Sequence, residues 1–202
     1  MPKQTKKSAP KRTSIRKANT LDSITGADAL AILKVLAARD KSLAQEIDAV
    51  AIELFSHVEI DEMAANVQME LETLQVEDVW DRAGAKRDGY VDPGEAASEM
   101  FDEALRPFRD EVDKYKRLSM QQEAEFAYQG ILKGIYDFHK ESSTEYEQWA
   151  VDVASEYFGV VLDDWKKLFT GRPPFPRMTA FLHTHCPDWA EWATKSLRSR
   201  RP

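Results

Sequence analysis

The chain holds a single cysteine, Cys186, so it cannot form an internal disulfide, and a reducing, cytoplasmic setting is expected. Glycine and proline are scarce, eight and nine among 202 residues, too few for the turn-rich strands of an all-β fold. No apolar run approaches the ~20 residues that a bilayer-spanning helix needs. The N-terminal residues are basic but have no apolar core, so a secretory signal is not expected. Their Lys-rich, Pro-interrupted pattern also departs from an amphipathic mitochondrial presequence. The sequence contains no HExxH, no ExxH pair, no GxSxG, no phosphate-binding P-loop and no GxGxxG. It therefore nominates no catalytic residue and no cofactor-binding residue, and no cofactor is expected.

Acidic residues are missing from both ends. Residues 1–19 carry Lys3, Lys6, Lys7, Lys11, Arg12, Arg16 and Lys17, and residues 195–202 carry Lys195, Arg198, Arg200 and Arg201. The intervening 20–194 keeps 17 of the 28 basic residues and all 35 acidic ones, a net charge of −18. Such a body repels nucleic acid and anionic membrane, while the ends attract both. The first 20 residues have almost no large apolar side chains to offset the entropy of ordering, so they are expected to be a disordered basic tail.

What is abundant is helical periodicity. Leu30, Leu33 and Ala37 share one face, with Ile32 and Leu36 beside it. Leu43, Ile47, Val50, Leu54 and Val58 repeat at the same spacing, after a capping box expected at Ser42 and Gln45. Asp61 opens a third stripe of Met63, Ala64, Val67, Leu71 and Leu74. A short helix is expected over Val76 to Arg82. The stretch 83–94 breaks the pattern and is a possible sub-boundary. Asp92-Pro93 then starts a helix with Ala97, Phe101, Ala104, Phe108, Val112 and Tyr115 in phase, and Pro107 predicts a kink or break within it. After a turn at Leu118-Ser119, a helix over 120–139 carries Gly130 and Gly134, whose propensity cost predicts close approach of a neighbouring backbone. A capping box at Ser142 and Glu145 predicts one long helix to about Leu168. Gly171 fits a C-cap, and Pro173 to Pro176 stop further helix. A short helix over 177–185 and a last one opened by Pro187 complete the chain.

The expected fold is all-α, a single domain over 21–197. Seven to nine helices form antiparallel hairpins in a bundle or short superhelix, with helix content above roughly 60% against a ~30–35% base rate.

Few clusters suggest chemistry. Residues 88–95 copy the second half of an EF-hand loop, but Gly84 and Lys86 stand where the first two oxygen ligands belong, so a capped turn is the expected reading. His183, His185 and Cys186 are the one dense group of soft ligands, and their spacing offers zinc an incomplete set. Glu53 and His57 are four apart and read as an exposed helix-face pair. Trp80, Trp149 and Trp165 are expected to pack between helices. Trp189 and Trp192, on a terminal helix with less core to enter, are candidates for an interaction surface.

Residues 105–138 resemble one helical hairpin of the tetratricopeptide type. Glu123-Ala124 and Tyr128 match the start of its second helix, and Phe108 and Tyr115 match large apolar positions of its first. Ser119 replaces the usual turn glycine and Glu111 an expected leucine, and no second copy follows at a fixed period. The segment from Trp80 to Leu168 is also similar to helical regions of uncharacterised bacterial proteins, some of which accompany SWIM-type zinc fingers. The C-x-C…C-x-H signature of such a finger is missing here. Both resemblances imply a helical interaction module. The expected function is a non-enzymatic scaffold with a protein partner. An accessory protein that binds nucleic acid weakly and non-specifically through the basic tail is the alternative. A metal-dependent enzyme is the third class, requiring a pocket of convergent carboxylates.

Overall fold

A computed structural model describes residues 23–87, 89–169 and 174–198. About 80% of the described residues are helical, well above the expected 60%. Ten helices are present among them: α1 (Gly26–Arg39), α2 (Lys41–Phe55), α3 (Ile60–Leu71), α4 (Val76–Arg82), α5 (Pro93–Arg117), α6 (Gln121–Glu141), α7 (Glu145–Trp149), α8 (Val153–Lys167), α9 (Phe175–His185) and α10 (Pro187–Arg198). The chain divides into two units, Met1–Ala51 and Ile52–Pro202.

In the first unit, Thr25 and Asp28 form a reciprocal capping box at the start of α1. Asp40, in an extended conformation, ends α1, and its Oδ1 accepts from the Ser42 backbone N–H at 2.8 Å. Ser42 already lies inside α2, so Asp40 takes the capping role expected of Ser42. α2 stops at Phe55, short of Val58. Neither α1 nor α2 buries a single residue.

The second unit is built around α6, which contributes twelve buried residues. α3 crosses it where α6 carries its two glycines. A Cβ on Gly130 would lie 2.5 Å from Met63, and one on Gly134 would lie 2.6 Å from the Ala64 carbonyl. The spacing of the glycines thus marks a backbone contact, as the sequence predicts. α5 packs on α6 through the expected stripe, with Phe108 half-buried at its margin. Pro107 does not break α5, which runs from 93 to 117. Pro107 and Glu103, whose carbonyl loses its partner, are both exposed, so solvent can take the freed bond.

Four expectations are corrected here. Residues 145–168 form α7 and α8 instead of one helix, because α7 docks on α4 while α8 docks on α5 and α6. The cap of α7 is Thr144, whose Oγ1 accepts from the Glu147 N–H, while Ser142 braces Thr144. Within 83–94, where no strand was expected, Gly84–Lys86 and Gly89–Val91 form a two-stranded antiparallel hairpin, β1 and β2. Gly84 and Gly89 adopt positive φ angles of 91° and 144°, which only glycine reaches without strain. Pro176 also sits in the first turn of α9, where a missing N–H costs nothing. Gly171 lies outside the described residues.

Candidate functional site

α9 and α10 meet at Cys186. Its backbone N–H donates to the Leu182 carbonyl at 2.8 Å, and its side chain is fully buried. Burial pushes the thiol up to about 12, which suppresses the thiolate that a metal would require. His183 is exposed on α9, and His185 stacks on Phe181 with ring centroids 4.8 Å apart. The three side chains therefore diverge between core and solvent. No group of three or more metal-ligating side chains converges anywhere among the described residues.

The two tryptophans of α10 separate in the same way. Trp189 is buried against Tyr136, Phe158 and His139, with centroid distances of 5.4, 4.9 and 4.8 Å. Trp192 remains 38% exposed and lines an open groove of about 660 Å³ with His183, Glu191, Lys195 and Arg198. The groove wall is fixed by Asp188, which accepts from Tyr136 at 3.2 Å and pairs with Lys140 at 2.7 Å. Lys140 holds the Asp188 carboxyl below the usual carboxylate range.

A smaller cleft of about 160 Å³ lies between α3 and α5, lined by His57, Glu59, Glu62, Asn66, Glu111 and Tyr115 among others. This is the nearest approach to a catalytic constellation. Glu111 is engaged by Lys114 at 3.2 Å and by the Tyr115 hydroxyl at 2.9 Å, while Glu59 and Glu62 are exposed. The cleft therefore presents two exposed carboxylates and a third already held by Lys114 and Tyr115. His57 lies beyond the end of α2, so it does not share a helix face with Glu53.

The EF-hand-like segment places Gly84 and Lys86 on β1, paired with Val91 and Gly89 in a strand ladder. Asp88 lies outside the described residues, as do Lys3, Lys6, Lys7, Lys11, Arg12, Arg16 and Lys17.

α1 and α2 present a larger surface, and it has no catalytic character. Ten of fourteen residues in α1 and nine of fifteen in α2 are apolar. Apolar stripes of this kind are ordinarily packed against another surface. Here Leu30, Ile32, Leu33, Val35, Leu36 and Val50 are between 39% and 53% exposed. Further along α2, Ile52 and Leu54 are exposed as well. Each stripe was legible in the sequence. Their exposure was not, because periodicity marks an apolar face without showing whether the chain covers it.

No protein-family model, no curated protein and no solved structure matches this chain. Among the described residues, no helix is long and apolar enough to cross a membrane.

Proposed function

We infer that this protein is a non-enzymatic interaction or scaffold protein, and that α1 and α2 are its docking element. The observation that carries this reading is the exposure of large apolar side chains along two helices that bury no residue of their own. Together the six in the first unit expose on the order of 500 Å² of side-chain surface. At about 25 cal/mol per Å², covering that area offers roughly 12 kcal/mol. Association costs ~4–15 kcal/mol in lost freedom, so only a partner covering most of the face is held. The resemblance of 105–138 to a tetratricopeptide hairpin supports the same class of function. The divergence of His183, His185 and Cys186 and the open carboxylates beside His57 remove the main supports for the enzyme alternative.

The test is capture from native lysate with full-length protein and with Leu33→Glu, quantified by mass spectrometry. Leu33 is 44% exposed, so the substitution leaves the fold intact. Proteins that depend on the face will be recovered with the wild type and fall at least tenfold with the variant. Equal recovery by both would remove α1 from the interaction.

A further inference from the structure

We propose that a second copy of this chain covers the apolar face of α1 and α2, pairing α1 of each copy with α2 of the other. The proposal rests on the interaction reading above and names its partner.

Two observations point to self-pairing. The first is area. A partner in a standard interface contributes ~800 Å². The exposed side chains of the first unit supply on the order of 500 Å², and the half-buried Ala29, Ala37, Leu43, Ala44 and Ile47 border them. Together these side chains offer about the area of one side of a modest dimer interface to a partner that contacts both helices.

The second is charge complementarity within the chain. α1 carries Lys34 and Arg39 against one acid, Asp28, whereas α2 carries Glu46, Asp48 and Glu53 against one base, Lys41. The signs are opposite, so α1 is the electrostatic complement of α2 and the mismatch of another α1. The charges also flank the stripes. Leu30, Leu33 and Ala37 follow 3–4 spacing with Lys34 next to Leu33, and Leu43, Ile47, Val50 and Leu54 follow 4–3–4 spacing with Glu46 next to Ile47. In helical bundles such flanking positions set partner choice. A two-fold dimer uses one patch twice, so one α1–α2 contact implies its symmetric mate. Among the described residues α1 and α2 make at most sparse contact with each other, and Leu30, Leu33 and Val50 on their stripes stay exposed.

The experiment is sedimentation of full-length protein across a concentration series, with Lys34→Glu, Glu46→Lys and their mixture. Both side chains are exposed, so neither change disturbs folding. The wild type is expected to shift reversibly from 23.1 kDa to twice that mass at micromolar concentration. Each variant alone places like charges at both symmetric contacts and weakens association roughly tenfold. Mixing the two restores opposite charges at both contacts and recovers the dimer. A wild type that stays monomeric at ~100 μM, well above the ordinary micromolar range, overturns the proposal. So do variants that associate as the wild type does, or a mixture that fails to recover. A monomeric wild type whose lysate capture still depends on Leu33 defeats self-pairing and leaves the interaction reading standing. Failure of both experiments defeats both.

Discussion

Gly134 faces the α3 backbone so closely that a methyl group there would lie 2.6 Å from both the Ala64 carbonyl oxygen and the Val67 Cβ. Gly134→Ala gains about 1 kcal/mol of helix propensity but must push two helices apart. We expect a net loss of about 1–3 kcal/mol in denaturant unfolding. Gly159, on α8, has nothing within 4 Å of the same construction, so Gly159→Ala should stabilise by up to about 1 kcal/mol. Opposite signs for the two changes are the expected outcome. Glu125 illustrates a different residue-scale cost. Its side chain is 4% exposed and pairs with Arg177, yet its second oxygen is buried without a hydrogen-bond partner. Burial raises its pKa, and Arg177 opposes the rise. A carboxyl whose folded pKa exceeds its unfolded value binds more proton when folded. Its contribution to stability is therefore full below the unfolded pKa and falls as pH climbs toward the folded value. Stability measured from pH 4 to 7 should lose part of its pH dependence in Glu125→Gln, in the direction of a smaller decline as pH rises.

At the level of elements, the turn between α5 and α6 rests on Ser119, the one non-glycine residue with positive φ among those described, at 59°. An L-residue in this conformation costs about 1–2 kcal/mol, part of which glycine returns as greater freedom in the unfolded chain. Ser119→Gly should therefore stabilise by roughly 0.5–1 kcal/mol, visible as a rise of a few degrees in Tm. The sequence placed this turn correctly, because the apolar stripes on either side change phase there. It also located Asp92-Pro93 as a helix start, where the carboxylate accepts from the Gly94 N–H at 2.8 Å. It misplaced two other caps. Ser42 and Ser142 each match a capping pattern, but Asp40 and Thr144 lie where the chain leaves its extended conformation, and geometry at the junction decides between neighbouring candidates. The division of 145–168 into α7 and α8 was hidden for a related reason. Tyr146 donates to the Ala97 carbonyl at 2.7 Å and Trp149 packs edge-on to Trp80, tertiary contacts that no local pattern encodes.

For the whole molecule, the class of fold was readable because α3, α5 and α6 each present a continuous stripe to the others. The site was less readable. Trp189 and Trp192 share one helix three residues apart, yet Phe158 and Tyr136 enclose the first and leave the second at a groove. Leu30, Leu33 and Ala37 repeat as core residues do, and a sequence pattern does not show whether its own chain buries such a stripe. On the proposed function, α1 and α2 are helices awaiting cover. Hydrogen exchange on full-length protein tests this most directly, because exchange reports local opening residue by residue. In dilute solution the amides of α1 and α2 should exchange orders of magnitude faster than those of α6. They should slow markedly when the protein is concentrated or its captured partner is added, with α6 unchanged. Amides of α1 and α2 as protected as those of α6 in the dilute monomer, or indifferent to partner and concentration alike, would contradict it.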